Sequence, residues 1–154
     1  MITIEINDDL ITNALAGALG VLDDMSDIMT KVAQTLRDQT EVRFAEQKSP
    51  KGVPWAPRSP ATIANYERRK LTFGGILNLS GQLSGNLVST SGADFAEVGT
   101  PEPYAAMMQF GGTKAAFPHL WGNIPARPFM GLSDENRSDI LDTISAALSR
   151  ALAS

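Results

Sequence analysis

Few residues in this chain could carry chemistry. His119 is the only histidine among 154 residues, and there is no cysteine. A nucleophilic triad needs a serine held against an imidazole that an acid orients. No serine here stands in a nucleophile-elbow pattern, and no acid is singled out as a partner for His119. The absence of cysteine excludes disulfides, thiolate nucleophiles and cysteine metal sites, and fits a protein made and kept in a reducing cytoplasm. Asp23 and Asp24 stand together as a metal or acid–base pair would. They fall at the start of a helix, however, where carboxylates cap free amides and oppose the dipole. The glycine pairs Gly74–Gly75 and Gly111–Gly112 lack both the Gly-Lys-Ser/Thr ending and the strand–glycine–helix spacing of a nucleotide cradle, so they read as turns. The expectation is a non-enzyme with no metal and no cofactor.

Phosphate contact is the next chemistry to weigh, through Arg58, Arg68, Arg69 and Lys70. A net charge of −4 argues against general affinity for a nucleic-acid backbone. The distribution says more than the total. From Arg37 to Lys70 there are eight basic residues against four acids, a balance of +4, so the remainder carries −8. Segregated charge can steer a protein onto a complementary surface, including a second copy of itself; two solvated faces are the plain alternative.

Aromatic and proline placement is the stronger signal. Trp55 and Trp121 lie in two segments without helical or strand period, and six of the nine prolines lie in or beside them: Pro50, Pro54, Pro57, Pro118, Pro125 and Pro128. Tryptophan dominates interfaces, and proline lowers the entropy lost when a loop is ordered by a partner. The alternative tucks each tryptophan onto its own domain as a lid over the core. Arg127 precedes a proline, which holds it in extended geometry and sets the direction of its donor fork before any partner arrives. That fork either bridges subunits or pairs inside its own domain.

The elements that must position these residues follow from pattern. Ile2, Ile4 and Ile6 alternate as a short strand. A helix is expected over 10–19, and a longer one from Asp23 to Gln47 whose stripe includes Met25, Ile28, Met29, Val32, Ala33, Leu36 and Phe44. Ser59–Pro60 starts a helix over 61–70, and a short one is expected over 80–86. Residues 87–91 and 94–98 form a hairpin through Gly92–Ala93, closed by Gly99. Residues 104–110 make about two helical turns stopped by Gly111–Gly112. Phe129 and Met130 read as a further strand, and Ser133 caps a last helix with Ile140, Leu141, Ile144, Ala147, Leu148, Ala151 and Leu152 on its buried stripe. The class is α+β, a single domain with helices on a small antiparallel sheet. No apolar run approaches the roughly 20 residues that cross a bilayer, and no basic leader precedes an apolar core, so neither export nor a membrane is expected.

Several segments together resemble a known family: Gln47-Lys-Ser-Pro-Lys-Gly-Val-Pro-Trp55, Ile76-Leu77, Leu79-Ser-Gly-Gln-Leu83, Val98-Gly-Thr100, Tyr104-Ala-Ala-Met-Met-Gln-Phe-Gly-Gly112 and Ile124-Pro-Ala-Arg-Pro-Phe-Met-Gly-Leu-Ser133. In this order they are similar to the bacteriophage virion morphogenesis family, which includes tail completion proteins. The resemblance runs from about Phe44 to Leu132. One departure is visible: Met108 stands where the family often has histidine, so no imidazole role carries over. The resemblance implies a structural virion protein, made in the host cytoplasm, that completes the tail or helps join it to the head. It further implies a ring of identical subunits, six by analogy with tail-end proteins, that meets the tail tube and head–tail connector proteins and lets DNA pass through. Candidate interface residues are Trp55, Trp121, Arg127, Phe129, Gln109, Phe110, Arg68 and Arg69. A head-side connector or neck component and a DNA-binding assembly factor are the alternatives, with a small hydrolase using His119 last.

Overall fold

The computed structural model describes residues 2–5, 9, 11, 12 and 24–153. Among them the elements run β1 (Ile2–Glu5), α1 (Ser26–Glu46), α2 (Pro60–Arg68), α3 (Gln82–Gly85), β2 (Val88–Ser91), β3 (Ala96–Thr100), α4 (Ala105–Phe110) and α5 (Asp134–Ala153). The fold is α+β, as the pattern implies. The helix expected over 10–19 lies outside the described residues except for Ile11 and Thr12, which are helical.

The chain forms two compact units, each assembled from separated segments. The first takes residues 1–2, 40–87 and 100–131, and the second takes 3–39, 88–99 and 132–154. In the second unit the sheet order is β1-β3-β2, and β2 and β3 pair antiparallel with Val88 opposite Gly99 and Ser91 opposite Ala96. The hairpin tip is Ala93–Asp94, closed by a bond from the Gly92 amide to the Phe95 carbonyl at 3.0 Å. Gly99 does not close the hairpin as expected. It is buried within β3, which runs on to Thr100.

One core fills this unit: Met25, Ile28, Met29, Val32, Ala33 and Leu36 from α1, Ala96 and Val98 from β3, and Ile140 and Ile144 from α5. The helix starts are fixed by short-range bonds. Asp24 Oδ1 accepts from both the amide and the hydroxyl of Ser26, and the hydroxyl bond above all holds this carboxyl below its ordinary range. Asp24 thus caps a helix, while Asp23, its companion in the sequence, lies outside the described residues. At α5, the Ser133 Oγ accepts from the Asn136 amide while Asn136 Oδ1 accepts from the Ser133 amide, at 3.0 and 3.1 Å. This is a reciprocal capping box with asparagine in the usual Glu/Gln place.

The buried line along α1 keeps its helical spacing beyond Leu36 but changes character, passing to Thr40 and then Arg43. Those two belong to the first unit, whose centre is more polar and is built largely from loops. Its fully buried side chains include Phe129, Met130, Leu83, Ala105 and Thr100, with Gln109 and Arg127 close behind. No strand forms at Phe129–Met130, contrary to the expectation from sequence.

Candidate assembly site

The reason no strand forms lies in who satisfies the backbone of residues 128–130. Buried amides and carbonyls must find partners, and in a sheet a neighbouring strand supplies them. Here side chains do. Gln109 Oε1 accepts from the amides of Phe129 and Met130, both at 3.0 Å, while Gln109 Nε2 donates to the Met130 carbonyl at 3.0 Å. Arg43 Nη1 donates to the Phe129 carbonyl at 3.1 Å, and Trp55 Nε1 donates to the Pro128 carbonyl at 2.7 Å. Burial costs Arg43 its ordinary hydration and pushes its pKa down to about 10. The segment is thus held by three side chains, one each from α1, α4 and the 48–59 loop.

Arg127 faces the other way. Its Nε donates to the Ala56 carbonyl at 2.7 Å and its Nη2 to the Pro57 carbonyl at 2.8 Å. The fork set by Pro128 therefore grips the proline-rich loop of its own unit, and the internal alternative holds. Burial, with the nearby Arg58 charge second, lowers the Arg127 pKa.

The 48–59 loop is less irregular than its sequence suggests. Lys48 bridges to Pro54, Gly52 takes a left-handed φ of +77°, and the Trp55 amide donates to the Gln47 carbonyl at 2.8 Å. The chain turns tightly and delivers Trp55 inward, where its ring meets Phe44 edge-on at 5.6 Å; Phe44 in turn lies 5.2 Å from the Phe129 ring. Trp55 is only 5% exposed and Phe129 not at all. Trp55, Phe129 and Gln109, candidates for an interface between copies, are therefore corrected to the interior of this unit, while Arg127 is tied to its own 48–59 loop. Each has a polar or aromatic partner from another segment that sequence pattern could not supply.

The second loop is built differently. Gly112 and Ile124 pair across its neck through two backbone bonds of 2.9 and 2.7 Å. Gly111 has φ +69° and ψ −178°, and a Cβ there would stand 2.6 Å from the Ala126 nitrogen, so only glycine lets α4 end against the returning chain. Beyond the neck, Lys114 donates its amide to Asn123 Oδ1 at 2.9 Å. Apolar side chains of this loop are open to solvent: Trp121 is fully exposed and Phe117 is exposed with its ring against His119, and Phe110, at the end of α4 before the neck, is 72% exposed.

Arg68 and Arg69 are exposed at the end of α2, with Arg68 bonded to Asn65 Oδ1 at 2.9 Å. Arg58 is committed elsewhere. It stacks over Tyr66 and Phe73 at 5.6 and 5.0 Å and donates to the carbonyls of Gly74 and Gly75. Within the same unit a groove of about 590 Å³ opens, walled by Leu79, Leu83, Tyr66, Tyr104 and Ile124, with Arg58 and Arg127 its only charged lining residues.

Comparison with known proteins bears directly on these segments. The profile of the phage virion morphogenesis family matches residues 6–149. The chain belongs to that family. Protein G of Escherichia phage Mu, named for capsid assembly, is 36% identical over 122 residues, 79% of this chain and 78% of that protein. The Mu-like prophage FluMu G proteins 1 and 2 of Haemophilus influenzae are 31% and 30% identical over 128 and 145 residues, covering 82% and 94% of this chain and 81% and 94% of theirs. No solved structure matches.

Family membership gives a role in phage structure or assembly, and the geometry explains what its motif segments do. Gln109 and the Arg127-Pro128-Phe129 run lock together, Trp55 closes the lock, and Gly111 admits the backbone beside it. No helix of the described residues is long and apolar enough to cross a membrane.

Proposed function

We propose that this protein is a structural, non-catalytic component that completes the phage tail where it joins the head, repeating as a ring of about six identical subunits around the path of the DNA. The observation that carries the proposal is the aromatic loop. A fully exposed tryptophan and an exposed phenylalanine, Phe117, on one loop pinned at its neck, with Phe110 exposed at the end of α4 just before that neck, are costly to leave in water and pre-ordered for a partner. Its partners are neighbouring copies, the tail tube protein and head–tail connector proteins. A second position, on the head side of the joint, is favoured by the capsid-assembly name of the Mu relative.

The test is Trp121→Ala, followed by native mass and by recovery of the protein with purified tails and purified heads. The variant should fold normally yet lose assembly, with a hot-spot loss of about 2 kcal/mol or more. Recovery with tails supports tail completion, and recovery with heads supports the second position. A Trp121→Ala protein that assembles as well as wild type would remove the loop from the interface.

A further inference from the structure

We propose that the groove of the first unit receives the β2–β3 hairpin tip, Asp94–Phe95, of a neighbouring copy. This rests on the repeating-assembly reading above and names one contact within it.

The groove presents two guanidiniums and no lining carboxylate in an otherwise largely apolar surround. Arg58 and Arg127 each give two donors to backbone carbonyls, which fixes their positions without neutralising their charge. Glu102 is the acid behind Tyr104. It does not line the groove, and its carboxylate accepts from Asn86 Nδ2 and from the Tyr104 hydroxyl. A fitting occupant therefore brings an apolar side chain and a negative charge together on a narrow segment.

Among the exposed large apolar side chains of the described residues, this requirement discriminates. Phe110, Phe117 and Trp121 sit on a stretch that carries Lys114 and no acid, so the aromatic loop has the wrong charge for this groove. Val53 neighbours Lys51, and Val42 lies on the long helix α1. Phe95 is 40% exposed and directly follows Asp94, and residues 88–96 contain no base. The tip is also narrow and pre-ordered: two residues turn it, and Gly92 leaves room for the Phe95 ring to lie over its backbone.

Groove and tip are different patches of one chain, so the contact is head-to-tail, the kind that propagates into a ring. A hairpin tip alone covers less than the roughly 800 Å² per partner of a standard interface. Its part is to set direction and register, with the aromatic loop supplying further area.

The absence of native cysteine allows a direct test. Ala93→Cys protein, which keeps Asp94 and places the thiol on the exposed hairpin tip, is mixed with Ser80→Cys protein, Ser80 being exposed on the groove wall, and the mixture is oxidised gently. A disulfide requires Cα atoms within about 7 Å. The linked heterodimer should form at least about tenfold faster than with Arg150→Cys, on α5, in place of Ser80→Cys. Asp94→Lys should weaken assembly while leaving the melting temperature unchanged. Oligomers by light scattering with no cross-link above the control would overturn this contact and leave the ring reading standing. A wild-type protein that stays monomeric at high concentration and in particles would overturn both.

Discussion

The two proline- and tryptophan-bearing loops look alike in sequence and end in opposite states. In the 48–59 loop, Trp55 is buried, its ring against Phe44 and its indole nitrogen on the Pro128 carbonyl, and Arg127 clamps the loop from outside at Ala56 and Pro57. In the 113–123 loop, Trp121 is fully exposed and the order comes from the neck at Gly112–Ile124 and from Asn123. A tryptophan is drawn inward when an apolar pocket and an acceptor for its N–H are both within reach. Phe44, Phe129 and Pro128 provide them for Trp55, and the described contacts record no equivalent for Trp121.

The comparison breaks most visibly at Trp55. Trp55→Ala should cost about 3–5 kcal/mol of stability, the usual range for deleting a buried large aromatic, read as a large drop in melting temperature. A loss under 1 kcal/mol would mean the loop is not held by its tryptophan. Gly111→Ala attacks the other loop at its neck. Moving a β-carbon into the Ala126 backbone and into a glycine-only conformation should cost about 1–3 kcal/mol, with amide exchange rising first at Gly112 and Ile124.

Arg127→Lys sharpens the clamp. The charge stays but the two-pronged grip on Ala56 and Pro57 does not, and a loss of about 1–2 kcal/mol is expected in the isolated subunit. An unchanged melting temperature would show that this grip does not hold the isolated subunit together. The smallest effect belongs to Trp121→Ala, which should change stability by no more than about 0.5 kcal/mol. A large loss there would show the exposed loop to be a lid after all.

Much of the architecture was legible from local pattern, because helix and strand periods are set by neighbouring residues. α1, α2 and α4, the β2–β3 hairpin and the Ser133 cap all fall within a few residues of the positions that spacing and capping chemistry dictate. The segments resembling the family were also readable, since they are short ordered runs with prolines and glycines at fixed places. The apolar stripe of α1 was readable through Leu36 and again at Phe44, which packs on Trp55 and Phe129. Its continuation into Thr40 and Arg43 was not, because polar residues on a buried line are satisfied only by groups that are remote in sequence.

What the sequence determined by itself is therefore the class of fold, the elements, the lack of cysteine chemistry and the presence of two stiffened aromatic loops. Only the tertiary structure decided which tryptophan is core and which is surface, that Arg127 turns inward, and that Phe129–Met130 is buried without being a strand. In each case the deciding partner lies far away along the chain, with Pro128 for Trp55, Ala56 and Pro57 for Arg127, and Gln109 for the amides of Phe129 and Met130. A buried polar group must be paired by whatever folding brings beside it, and local pattern carries no record of that neighbour.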